Sequence, residues 1–399
     1  MAGAALYLFP SDLVDEGIET VLSTLRRWDA TPALALAYHQ ARDVVPHAGD
    51  KPRLRYRRDG VFFEPGADWP SPALTPPIQS EEERAAVAAF RDAVGDDPLE
   101  AWTVFLHNTT LGERDPSATG LTCFGDRILS NLCPSQASVR AYALRLARAV
   151  ADEGFDVIAE ALSAQTFGHG HHHERSFTPL GAGEQALLGV CFCDACRALG
   201  ERAGADVDAL AERLRLHLQR AFADESSIPA TREALAGAVG EAVLTHIDAG
   251  TAAVTTLAAE TADVVRAAGR RLSYMDLTGA VLGYDDGVPT GPDAADQAWR
   301  LRIDPAAVAP VVDSYSILGY VRDPQRLHDD VASYRRRLGS TPLRVILRPG
   351  FPDARSGGEL AAHVEAARAA GADQVDFYNY GMYDHAILDR IPAALAGRD

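Results

Sequence analysis

The sequence predicts an α/β protein, a (β/α)8 TIM barrel with insertions after strands 2 and 4. Three observations lead there. Eight short apolar runs, each sized for one buried parallel strand, are spread along the 399 residues. Segments with helical periodicity, several opening on a capping residue, fall between them. Eightfold alternation suits a closed parallel barrel, whereas an open doubly wound sheet offers no reason for eight units.

The strands are expected at residues 5–9, 33–38, 102–107, 156–162, 272–277, 309–315, 343–347 and 374–378. Helices are expected at 12–28 behind Ser11, at 81–94 behind Ser80, and at 137–153 behind Pro134 and Ser135. Three more follow at 324–338 with Pro324 in its first turn, at 358–370 stopped by Gly371, and at 384–395. The insertion 40–79 reads as a hairpin turning at Asp59-Gly60, with Arg53–Tyr56 against Val61–Phe63. The insertion 163–268 carries a histidine cluster, a cysteine cluster and two helical stretches, 206–223 and 229–268. Both leave the C-terminal ends of strands and so should lie over that rim, where barrels build their sites. No linker divides the chain, which reads as one domain over 1–399.

Composition narrows the function. A net charge of −18 argues against a nucleic-acid partner, which would need a basic footprint. No run approaches 18 apolar residues, and the N-terminus lacks a basic n-region, so the sequence reads as soluble, cytoplasmic and free of a membrane span. It is compatible with a monomer and with a homo-oligomer. Lys51, in polar loop sequence, is the only lysine. Schiff-base chemistry needs a lysine amine, and no strand end carries one. No organic cofactor is expected.

Three of the five cysteines stand in Cys191-Phe-Cys193-Asp-Ala-Cys196, with Cys123 and Cys133 further upstream. Closely spaced thiolates with a distant fourth are a tetrahedral zinc pattern; the plainer alternative is reduced cysteines at a helix start. The segment resembles family-42 glycoside hydrolases, mostly β-galactosidases, which place a Cys-x-Cys-x-x-Cys stretch after barrel strand 4. Their fourth cysteine precedes the helix before that strand, and Cys133-Pro-Ser-Gln-Ala-Ser-Val-Arg140 is similar. The resemblance, which covers Cys133 to about Cys196, implies a structural zinc on Cys133, Cys191, Cys193 and Cys196, with Cys123 spare. It also implies that Glu160, at the end of strand 4, is the acid/base carboxylate. The chain departs from the family at strand 7, which ends Leu347-Arg348-Pro349 where the family carries its nucleophile. It is therefore glycoside-hydrolase-like, not a full member.

Glycoside hydrolysis usually takes two carboxylates, one to protonate the leaving oxygen and one to attack or to activate water. Three candidates end predicted strands: Glu160, Asp276 and Asp313, with Asp276 preferred as partner of Glu160. A structural ion pair with Arg348 is the alternative for any of them. Tyr38, His39, Asn108, Tyr315, Arg348, Tyr378, Asn379 and Tyr380 cluster at predicted strand ends and suit a polyol ligand. His169-Gly-His171-His172-His173-Glu174 follows strand 4 as ligand-binding or, alternatively, metal-binding residues. The leading expectation is an enzyme cleaving a small carbohydrate or polyol glycoside. The rivals are a metal-dependent isomerase or hydrolase using the histidine cluster, and a non-catalytic sugar-binding barrel.

Overall fold

A computed structural model describes residues 3–46, 52–168, 177–178, 180–224, 227–283 and 286–397. Eight parallel strands pair in sequence order: β1 Ala5–Leu8, β2 Thr31–Tyr38, β3 Glu100–Val104, β4 Asp156–Glu160, β5 Leu272–Asp276, β6 Ser314–Leu318, β7 Leu343–Leu347 and β8 Gln374–Phe377. Leu6 opposite Phe377 joins β8 to β1 and closes the barrel. Both faces of these strands are covered, by the barrel core within and by helices without, which is why they read as continuous apolar runs.

Several boundaries differ from expectation for local reasons. The run 309–312 is not strand but a 3-10 turn, Ala309–Val311, because Pro310 has no N–H for a ladder; β6 begins at Ser314. The helix expected at 12–28 is two, Pro10–Glu16 and Ile18–Arg27, broken at Gly17 with φ 82°. Pro229–Ala268 likewise divides at Gly240, leaving Arg232–Val239 and Ala242–Ala267. The predicted hairpin across Asp59-Gly60 does not form. Arg53–Arg57 pairs instead with Ala41–Val45, and Gly60–Val61 adds antiparallel to β2. The cause is Asp59, whose carboxylate accepts Gln40 N, Thr110 N and Thr110 Oγ1 and docks the segment on the loop after β3.

Two further features position the site. The loop after β3 carries an antiparallel hairpin, Thr119–Leu121 with Arg127–Leu132, that the sequence reading missed. Helices Ala182–Leu188 through Ala242–Ala267 gather a small apolar cluster of their own around Leu187, Leu214, Leu235 and Ile247. The long helix Ala242–Ala267 ties it to the barrel: Val243 and Ile247 belong to that cluster, Leu257 and Val265 to the main core.

Candidate active site and cysteine cluster

A cleft of about 790 Å³ opens at the C-terminal ends of the strands. Its floor follows from strand alternation, since residues two apart share a face. Tyr7 of β1, Tyr38 of β2, Trp102 of β3, Glu160 of β4, Met275 of β5, Leu318 of β6 and Ile346 of β7 all line it. Tyr378, just past β8, and Tyr320, past β6, complete an aromatic wall. Tyr38 meets Trp102 edge-on at 4.8 Å between centroids and Trp102 meets Tyr378 at 5.3 Å. His39 stacks on His107 at 4.5 Å, both facing the cleft.

Glu160 is the last residue of β4 and the carboxylate at the centre of this wall. Burial pushes its carboxyl up to about 7, against a hydrogen bond from the Trp102 indole that favours the ionised form. A carboxyl in that range exchanges a proton near neutral pH, which general acid–base work requires. Ala161 follows with φ 55°, a left-handed conformation unusual outside glycine, so the chain turns sharply at the carboxylate.

The other predicted residues divide. Tyr38, His39 and Tyr378 face the cleft beside Glu160. Asp276 does not: with Tyr274 it points outward from β5 into the helix layer. There it is fully buried, accepting from Thr278 N at 2.8 Å, Tyr315 OH at 2.7 Å and Tyr334 OH at 2.9 Å. Tyr315, placed mid-strand by the shift of β6, is thus a partner of Asp276 and not a rim residue. The same shift puts Asp313 before β6, at the opposite end of the barrel, where it accepts from Leu272 N and pairs with Arg266 at 3.0 Å. Asn108 caps the helix Thr109–Arg114 through Leu111 N, and Asn379 binds Gly381 N. Tyr380 donates to Glu16 at 2.7 Å, and Arg348 is held by both oxygens of Asp353 at 2.7 Å. His172, His173 and Glu174 lie outside the described residues.

Sequence reasoning missed part of the lining. The apolar run places Trp102 first in its strand; with β3 starting at Glu100 it is the inward-facing middle residue. Among the described residues the cleft's other carboxylates are Asp43, ion-paired with Arg57, and Asp286, whose carboxylate accepts from Val288 N at 2.9 Å. Arg300 also lines it. Asp43 sits in the insertion strand Ala41–Val45, and Asp286 and Arg300 in the loop after β5, where period gives no signal.

The four predicted cysteines converge. Cys133 Sγ lies 3.5 Å from Cys196, 3.6 Å from Cys193 and 3.9 Å from Cys191, and all four sulfurs fall within 4.8 Å of one another. Four sulfurs at the zinc–thiolate distance of about 2.3 Å would form a tetrahedron with edges of about 3.8 Å, so the group could hold a metal ion. Leu121 N and Cys193 N both point at Cys191 Sγ, and His246 Nε2 lies 2.9 Å from the Cys191 carbonyl oxygen. Cys123 is outside the group, in the apolar cluster of the insertion.

No known protein family and no curated protein matches the sequence. Solved structures do. The β-galactosidase from the psychrophilic Marinomonas ef1 aligns with a TM-score of 0.53 at 14% identity, over 98% of this chain and 59% of that one. The β-galactosidase from Rahnella sp. R3 aligns at 0.53 and 12%, over 99% of this chain and 56% of that one. The chain thus spans rather more than half the length of either. What the chain shares with them is the fold, a (β/α)8 barrel.

Proposed function

We propose that the chain cleaves a carbohydrate or polyol glycoside in the cleft, with Glu160 protonating the leaving oxygen. The observation that carries this is the position of Glu160. It ends β4, faces an aromatic-lined cleft of saccharide size, and keeps its proton to about 7. Aromatic faces suit the apolar faces of a sugar ring, and the tyrosine hydroxyls suit its edges. With Asp276 and Asp313 turned elsewhere, Asp286 is our candidate for the second carboxylate, because it lines the same cleft without an ion pair among the described residues. We further propose that Cys133, Cys191, Cys193 and Cys196 hold one structural zinc, and that the chain works as a single barrel domain.

A panel of aryl glycosides tests the chemistry. A substrate should be found, and Glu160→Gln should lower its turnover by roughly 10²–10⁴-fold; full activity in that variant overturns the assignment. A second reading, a sugar-binding barrel without catalysis, is favoured by the end of β7, where Arg348 and Asp353 neutralise each other. Sugar binding with no turnover of any glycoside would support it.

A further inference from the structure

The arginines built into the barrel are matched by acids: Arg57 by Asp43, Arg344 by Glu100 and Asp376, Arg348 by Asp353. Arg300 is an exception. It stands on the 3-10 turn Ala298–Leu301, in the loop after β5, and lines the cleft. Its Nη1 donates to Gln297 Oε1 at 3.2 Å. Its Nε is buried with no hydrogen-bond partner, and among the described residues no carboxylate pairs with it. The guanidinium is a planar fork of donors that binds a carboxylate through parallel hydrogen bonds, and Arg300 presents it to the cleft without an acid of its own among the described residues.

We propose that the cleft selects a sugar bearing a carboxylate, a uronic acid, which Arg300 holds through its guanidinium. The inference rests on the carbohydrate reading of the cleft and adds the substrate class. A planar carboxylate fits the planar fork better than a tetrahedral sulfate ester of the same charge.

Calorimetric titration with sugars that differ only at C6 tests it: methyl β-D-glucuronide against methyl β-D-glucoside, and methyl α-D-galacturonide against methyl α-D-galactoside. In the wild type the acid of at least one pair should bind roughly tenfold tighter or more, the worth of a charged hydrogen bond. Arg300→Met should bring that ratio to within about twofold, and Arg300→Lys, which keeps charge without the fork, should leave it in between. Neutral members binding as well as acids would overturn the uronate proposal alone, as would preference for a 6-sulfated sugar or a preference surviving Arg300→Met. Failure of every sugar to bind would overturn the carbohydrate reading, and this with it.

A separate observation concerns the cysteines. Arg302, only 6% exposed, has its Nη2 buried without a partner and no ion pair among the described residues. It passes the helix Ala242–Ala267 at Gly250, where a Cβ would collide with its guanidinium. With Cys133, Cys191 and Cys196 it lines a cavity of about 30 Å³, beside Asn131 and Gln165, whose buried amide nitrogens also lack partners. Four thiolates around a divalent ion carry a net charge of −2. We infer that Arg302 is the counter-charge of that centre, a positioning residue for the metal; this rests on the metal reading.

Zinc affinity by competition with a chromophoric chelator is the readout. Arg302→Met should bind zinc about tenfold more weakly, in the range of other outer-shell losses. Its melting temperature should fall below wild type with zinc but rise above wild type without it, because the variant no longer buries a lone cation. Zinc affinity within twofold of wild type, or the same sign of shift in both forms, overturns the proposal. A wild-type protein that takes up no zinc overturns the metal reading itself.

Discussion

The Trp102 indole reaches from β3 to Glu160 on β4, a diagonal contact fixed by the pairing of Trp102 with Ile158 and of Val104 with Glu160. That hydrogen bond acts against burial in setting the Glu160 proton affinity. Removing it while keeping an aromatic ring, as in Trp102→Phe, should raise the Glu160 pKa by about one unit, the worth of a hydrogen bond to a charged group. Once a substrate is known, the alkaline limb of kcat/KM near pH 7 should move upward in this variant. An unmoved limb would mean that another group sets it.

Glu160 also makes stability depend on pH. Its carboxyl is raised from 4.5 to about 7, so between those values the folded protein holds more proton than the unfolded chain. The contribution is fully present below about 4.5 and is lost as pH rises through about 7. Glu160→Gln removes it. Chemical denaturation of the variant across this window should show a shallower fall in stability than wild type, with the gap widening toward alkaline pH.

Asp276 accepts four hydrogen bonds, from Thr278 N, Thr278 Oγ1, Tyr315 OH and Tyr334 OH, and is not part of the cleft lining. Asp276→Asn keeps the shape but puts a donor where Tyr315 and Tyr334 both donate. Two facing donors conflict, so stability should drop by about 1–3 kcal/mol. Because the side chain does not open onto the cleft, kcat should stay within a fewfold of wild type. A loss comparable to that of Glu160→Gln would return Asp276 to the catalytic pair.

What the sequence disclosed and what it concealed follow from periodicity. Continuous apolar runs mark strands buried on both faces, so seven of the eight strands were found near their places. The same continuity hides which residues point inward. Asp276 and Glu160 each end an apolar run, yet Glu160 faces the cleft and Asp276 the helices, and no pattern in either run distinguishes them. A misplaced run cost more: reading 309–312 as strand put Asp313 and Tyr315 at the wrong end of β6. The cysteines were legible because their chemistry demands convergence whatever the local geometry. Arg300 and Asp286 were not, since loop residues reach a cleft by tertiary placement alone.

The cysteine cluster links segments far apart in sequence, and this sets the last prediction. Cys133 follows the hairpin strand Arg127–Leu132, its N–H bonded to Ala118 O, while Cys193 directly precedes the helix Asp194–Arg202 that holds Cys196. A metal shared by these thiolates would pin the insertion to the loop after β3. Protein purified without chelator should carry roughly one zinc per chain, and stripping it should lower the melting temperature. Cys133→Ser should give a similar drop and then show no further response to chelator, because both treatments remove the same link. Cys123→Ser is the control: its thiol, pushed up to about 11 by burial, lies outside the four and should leave zinc content unchanged. Zinc retained in full by Cys133→Ser, or a Cys191–Cys196 disulfide in native protein, would refute a four-thiolate site.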